Sequence, residues 1–258
     1  MEKPRNTMMS SHFDGRRFLL TILSSLYFLF ATNCQAQAVD SPADIKMFAP
    51  HSLNREEGRS CVASLCCVFR DEAEWLKEWI EYHKLIGIRH FYLYNNRSGD
   101  NYLEVLTPYL LNGEVEIFEF PKARLETTDQ GGIYNHALQM ALGRSQWLTA
   151  IDTDEFIVPW ETKHLSEYLD RFSSEIGCLE INWLTFGTSR VKKLRPGELL
   201  IEKLIMRAPV NARVNLWYKS IVRPEAVVGW RDAHACTLKP GYVCLKVTPC
   251  ADGEPPSD

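Results

Sequence analysis

CVASLCCVFRDEAEWLKEWIEYHKLIGIRHFYLY, residues 61–94, sets the fold. Its first nine residues form a continuous apolar run, as a strand buried on both faces requires. Asp71 then reads as a helix start, with Glu74 three residues later as a capping-box partner. Trp75, Leu76, Trp79, Ile80 and Ile86 recur at helical spacing, and Gly87 is a stop signal. HFYLY (90–94) reads as the next strand, so the stretch is a strand–helix–strand unit.

The alternation continues outward. NNRSGD (95–100) is turn-rich, and Asp100 can cap a helix that carries Tyr102, Leu103, Leu106 and Leu110 and ends near Gly113. EVEIFEF (114–120) alternates with period two and reads as a half-exposed edge strand. A helix is expected from about Gly132 to Leu142, a buried strand at WLTAI (147–151), an amphipathic helix at HLSEYLDRF (164–172) and a strand at CLEINWLTF (178–186). LLIEKLIM (199–206) and LWYKSIVRP (216–224) are expected in an irregular, strand-rich final part. The fold class is therefore α/β, a doubly wound and mostly parallel sheet flanked by helices. Ligands of such sheets sit at the carboxyl ends of the strands. Neither GxGxxG after the first strand nor GxxxxGK[ST] is present, which argues against the common dinucleotide and P-loop sites.

The fourth strand runs directly into Asp152-Thr153-Asp154-Glu155-Phe156. If the strand continues, Asp152 and Asp154 project to one side. Paired carboxylates repel, and no basic residue stands nearby in the sequence. A hard divalent cation, Mn²⁺ or Mg²⁺, would reconcile them and leave positions open for phosphate oxygens. The competing reading is a solvated loop or the cap of the next helix.

The chain has 258 residues, a formal charge of -4 and 45% hydrophobic content. These values exclude a disordered chain and disfavour a nucleic-acid partner. Phe18 to Val39 carries no charge. Arg16 and Arg17 precede it and Ala36-Gln37-Ala38 follows, so residues 1–38 are expected to be a signal peptide or an N-terminal membrane anchor. The body would then be exported or lumen-facing, or membrane-associated through that segment. Residues 39–59 read as a linker, 60–248 as the main domain and 249–258 as a polar tail. Eight cysteines are present. None has zinc-ligand spacing, and a disulfide among Cys236, Cys244 and Cys250 is plausible by proximity.

VFRDEAEWLKEWIEYHKLIGIRHFYLYNNRSGD, YNHAL, WLTAIDTDEF, INWLTFGTS and YKSIVRPE, in that order, resemble glycosyltransferase family 92 and the family-2-like transferases. The resemblance implies a GT-A type fold and a hexosyltransferase that moves a sugar from a nucleotide donor, a UDP-sugar by class, to a glycan or glycoconjugate hydroxyl with inversion. It implies donor contacts at Phe69, Arg70, Asn95 and Asp152. It also implies a metal held by Asp152, Asp154 and His234, with Glu155 orienting a metal-bound water. Asn95 equally suits a tight turn, and Trp183 equally suits a buried strand or an acceptor-stacking role. An inverting transferase needs a base, for which Asp232 and Glu180 are the candidates. The resemblance further implies a basic segment after the SIVRP stretch. Its place is taken here by CADGEPPSD, so a shortened member is expected, with a catalytically inactive binding remnant as the alternative.

Overall fold

The computed structural model describes residues 19–23, 46–48, 61–120 and 127–247. In chain order the elements begin with strands β1 (Leu19–Leu23), β2 (Lys46–Phe48) and β3 (Cys61–Phe69), then helix α1 (Ala73–Leu85). Next come β4 (His90–Asn95), α2 (Tyr102–Leu111), β5 (Val115–Glu119), α3 (Thr127–Ala141) and β6 (Ser145–Ala150). They are followed by β7 (Glu155–Val158), α4 (Leu165–Leu169), β8 (Ile176–Phe186) and the single turn α5 (Leu200–Lys203). The last are β9 (Tyr218–Val222), β10 (Val227–Trp230), β11 (Cys236–Leu238) and β12 (Val243–Val247).

The main sheet runs in the order β2-β5-β4-β3-β6-β9-β8-β1-β7, with β12 also on β8. Its centre, β5-β4-β3-β6, is parallel throughout. β9 lies antiparallel between β6 and β8. The strand order reverses between β3 and β6, because β4 and β5 lie on one side of β3 and β6 on the other. The expected doubly wound, mostly parallel sheet is therefore present.

Strand alternation divides the core. Leu65, Cys67 and Phe69 pack with Leu76, Trp79 and Ile80 of α1, Leu106 of α2 and Leu165 of α4. Cys66 points to the other face and packs with Ile133, Tyr134 and Leu138 of α3 and with Trp230. The 61–69 run is apolar on every residue because both of its faces are covered.

Several sequence expectations are corrected. Asp71 does not cap α1; it sits at φ +55°. Asp100 caps instead: one carboxylate oxygen accepts from the Ala73 amide at 2.8 Å and the other from Tyr102 at 3.3 Å, so one side chain closes the starts of both α1 and α2. EVEIFEF is not an edge, because β2 pairs beyond it. The 199–206 segment forms the turn α5, whose Leu200 and Ile201 amides donate to Glu78 of α1 at 2.8 and 3.0 Å. The helix expected at 132–142 starts at Thr127, and the one expected at 164–172 contracts to Leu165–Leu169. Gly87, as expected, ends α1 at φ +102°.

Most of the expected leader, the linker, the polar tail, Cys34 and Cys250 lie outside the described residues. Leu19–Leu23, within the expected leader, pairs with β8 and β7. Among the described residues no helix is long and apolar enough to cross a membrane. The described cysteines are free thiols.

Candidate active site

The carboxyl ends of β3 and β6 meet at the reversal of strand order, where open α/β sheets leave a crevice. β6 stops at Ala150, so Asp152 and Asp154 do not continue a strand. They sit in a turn closed by two reciprocal bonds. The Glu155 amide donates to the Asp152 carbonyl at 3.1 Å, and the Asp152 amide donates to Glu155 Oε2 at 3.0 Å. The Trp79 indole donates to the Glu155 carbonyl at 3.0 Å and ties this turn to α1.

The chain itself supplies a cation to these acids. Lys219, distant in sequence, enters from β9 and places Nζ 3.3 Å from Asp152 Oδ2 and 3.2 Å from Glu155 Oε2. Burial would lower the Lys219 ammonium, but Asp152 and Glu155 overcome it and hold its pKa well above the ordinary lysine value. Burial pushes the Glu155 carboxyl up, against the pull of Lys219. Glu155 is thus a buried partner of Lys219, and its Oε2 is spent on Lys219 and the Asp152 amide. Asp152 remains half-exposed. Glu72, just before α1, joins the cluster. Burial raises its carboxyl to about 7, and Asp154 and Asp152 add to the rise. Sequence reading missed Lys219 and Glu72. The signal for Lys219 was a lone charge inside the apolar strand WYKSIV; Glu72 was hidden by the capping pattern.

His234 lies beside this turn. Its Nδ1 is 2.7 Å from the Tyr218 carbonyl, which can only accept, so Nδ1 carries the proton and Nε2 keeps a lone pair. Burial, followed by Lys219, lowers its pKa and keeps the ring neutral. Trp183 and Trp217 flank it with ring centroids 5.4 and 5.1 Å away. Trp217 is 54% exposed, whereas the Trp183 Nε1 is buried without a hydrogen-bond partner.

The remaining candidates separate. Asp232 Oδ1 accepts from the His234 and Ala235 amides at 2.8 and 3.0 Å, which fixes it on the same loop as His234. Glu180, on β8, pairs with Lys246 at 3.6 Å. Phe69 is buried against Tyr102, and Arg70 is half-exposed beside Asp71. Asn95 is spent within the protein. Its amide nitrogen donates to Glu119 and Tyr102, and its oxygen accepts from the Ser98 amide at 2.9 Å. Asp152 and Asp154 thus share the turn after β6, Asp232 and His234 share the loop after β10, and Phe69 and Asn95 end β3 and β4. A cleft of about 590 Å³ between α1 and α2, lined by Lys77, Glu81 and Glu104, contains none of these groups.

The glycosyltransferase family 92 profile matches residues 59–232. The chain belongs to that family. A family 92 protein of Oryza sativa subsp. japonica is 28% identical over 193 residues, covering 74% of this chain and 31% of the relative. One of Ricinus communis is 26% identical over 166 residues, covering 63% and 29%. The family 92 chain thus spans about a third of the length of these relatives. Among solved structures, Staphylococcus aureus TarS 1–349 aligns at 13% identity with a TM-score of 0.41, over 64% of this chain and 48% of that one. The mannosyltransferase PcManGT of Pyrobaculum calidifontis, in complex with GDP-Man and Mn²⁺, aligns at 14% identity with a TM-score of 0.36, over 46% and 35%.

The donor chemistry suits a hard cation. No group of three His, Cys, Asp or Glu side chains converges to hold a metal among the described residues. Mg²⁺-type sites commonly use one or two carboxylates and complete their shell with substrate phosphate and water. Asp152 and Asp154 are two such groups, and they add to a rise of the Glu72 carboxyl that burial mainly causes. His234 does not complete a three-ligand set with them.

Proposed function

We propose that this domain is a glycosyltransferase that moves a sugar from a nucleoside diphosphate donor, a UDP-sugar by class, to a hydroxyl of a glycan or glycoconjugate, with inversion. The observation that carries this reading is the acidic turn Asp152–Asp154 at the reversal of strand order, inside the segment that matches the family. Asp152 and Asp154 would hold Mn²⁺ or Mg²⁺, which when bound neutralises charge on a departing diphosphate.

The protein's own groups do the rest. Lys219 anchors Asp152 and Glu155 from below the surface, so the turn need not reorganise when a donor arrives. The exposed Trp217, beside Trp183, offers a flat apolar face for an acceptor sugar ring. Asp232 is the proposed base. Its Oδ1 is fixed by two amides, which preorganises the carboxylate, whereas Glu180 Oε2 has no such hydrogen bond and only a 3.6 Å ion pair with the exposed Lys246. The apolar N-terminal segment would deliver the domain to an exported or lumenal compartment, and amino-terminal sequencing of the mature protein tests whether it is cleaved.

The test is transfer from a labelled UDP-sugar to glycan acceptors, with Asp154→Ala as the variant. The expected result is a loss of about 100-fold or more with unchanged circular dichroism. Wild-type-like transfer by Asp154→Ala would refute the metal assignment. UDP and Mn²⁺ binding without turnover, measured by calorimetry on the wild-type chain, would favour a binding remnant over an enzyme.

A further inference from the structure

Three cysteines from distant parts of the chain meet on one face of the sheet. Cys178 of β8 and Cys244 of β12 are register partners in adjacent parallel strands, so their side chains point the same way. Cys236 opens β11, and the Cys236 and Cys244 thiols together push the Cys178 thiol pKa up. Cys178 belongs to the apolar cluster with Val222 and Val227, and Cys236 packs against that cluster. Cys244 is exposed. The transfer reaction uses none of the three.

We propose that Cys178, Cys236 and Cys244 form a redox-active thiol triad whose end product is a Cys178–Cys236 disulfide. Cys178 is the shared partner, because it is the register partner of Cys244 and lies in the cluster against which Cys236 packs. Cys244 is the entry point, because it is exposed, whereas Cys236 is half-buried and Cys178 buried. The oxidant is a small-molecule disulfide. The Cys244 thiolate attacks one of its sulfurs, forming a mixed disulfide and releasing one small thiolate. Cys178, held in the thiol form by Cys236, Cys244 and burial, attacks the Cys244 sulfur and passes its proton to the second small thiolate as that group leaves. The Cys236 thiolate then attacks the Cys178 sulfur, and Cys244 leaves as a thiolate that takes up a proton. In sum, two protein thiols lose two electrons and two protons, and one small disulfide becomes two thiols.

The final exchange is downhill because of location. A Cys178–Cys244 bond would end at the surface, where small thiols reduce it, whereas a Cys178–Cys236 bond would sit against the apolar cluster. The consequence is positional. Residues 231–235, with Asp232 and His234, form the loop between β10 and β11 and end at Cys236. The disulfide would staple this loop to β8.

The test incubates the full chain with oxidised glutathione, followed by alkylation, digestion and mass spectrometry. Lys239 precedes a proline, so trypsin leaves Cys236 and Cys244 on one peptide; chymotrypsin, cutting after Tyr242, separates them. The expected product is a linked Cys178–Cys236 peptide in most molecules, with slower hydrogen exchange over residues 231–235. Cys244→Ala should slow its formation, and Cys236→Ser should stop the ladder at a Cys178–Cys244 bond. A persistent glutathione adduct on Cys244, a final Cys178–Cys244 bond in the wild type, or all three thiols remaining alkylatable would overturn the proposal. These readouts are independent of transfer activity, so failure here leaves the enzymatic reading untouched.

Discussion

Lys219 Nζ lies 3.2 Å from Glu155 Oε2, and the two side chains are 3% and 2% exposed. This pair joins β9 to the turn after β6 across the middle of the sheet. Removing Lys219 strands Glu155 in a desolvated site, which costs about 3–5 kcal/mol, whereas removing Glu155 leaves Lys219 paired with Asp152. Lys219→Met should therefore lower the urea midpoint strongly and Glu155→Gln less so. The double variant should recover part of the loss, since it buries no orphan charge. A double variant as unstable as the sum of the singles would show that the pair does not interact as a unit.

Asp100 closes the first turns of α1 and α2 with its two carboxylate oxygens. Loss of one such cap costs about 0.5–2 kcal/mol, and Asp100→Ala removes two. Asp71→Ala removes the exposed bond from the Gly99 amide, 2.6 Å long, and a 3.8 Å surface ion pair with Arg70. Thermal unfolding should therefore rank Asp100→Ala as clearly the more damaging. The reverse order would return the cap to Asp71.

The contrast between these two aspartates shows what was readable. Hydrophobic periodicity located β3, α1, β4 and α2 because each buries a face with its own spacing, and Gly87 marked a stop through a backbone angle that glycine tolerates. The acidic turn was visible as chemistry at a strand end. The partners of those acids were not. Lys219 reaches them only because β9 inserts antiparallel between β6 and β8, and that pairing leaves no local trace in the sequence. Asp71 and Asp100 both carry capping chemistry, and the choice between them depends on how the 95–100 turn folds back over α1. The surroundings of Asn95 were hidden for the same reason: its polar atoms bond with Ser98, Tyr102 and Glu119, and the Glu119 contact exists only once β4 and β5 are paired.

His83 gives the fold a pH dependence of known sign. It is fully buried, its Nδ1 donates to the Trp79 carbonyl, and its Nε2 accepts from the Ile157 amide, so the ring is neutral. Burial lowers its pKa to about 3 from an ordinary 6.5. Below 6.5 the unfolded chain takes up a proton that the folded chain refuses. This stabilisation is therefore complete above 6.5 and is lost as pH falls towards 3, at about 1.4 kcal/mol per pH unit. Denaturant unfolding between pH 7 and 4 should show a shallower acid slope for His83→Gln than for the wild type. Equal slopes would mean that His83 is protonated in the folded protein.

Gly177 opens β8 where the sheet has no room for a side chain. A Cβ there would stand 2.7 Å from the Ala226 Cβ and 3.0 Å from the Tyr242 Cβ. Both neighbours are anchored, since the Lys239 amide donates to the Ala226 carbonyl at 2.8 Å and the Tyr242 amide to the Lys239 carbonyl at 3.3 Å. Gly177→Ala should destabilise by about 1–3 kcal/mol, the range for forced overpacking. An unchanged melting temperature would show that the segments around Ala226 and Tyr242 can separate without cost.

Chelation should divide activity from stability. If a divalent cation were the main counter-charge of the acidic turn, EDTA would release repulsion among Asp152, Asp154 and Glu155 and loosen the fold. Lys219 already stands between Asp152 and Glu155 and stays charged there. The protein without donor should therefore melt at nearly the same temperature with and without EDTA, while sugar transfer stops and returns on addition of Mn²⁺ or Mg²⁺. A melting temperature that drops by several degrees in EDTA would assign the cation a structural role that Lys219 does not cover. Transfer that survives EDTA would mean that Lys219 suffices as the counter-charge and that Asp152 and Asp154 hold no metal.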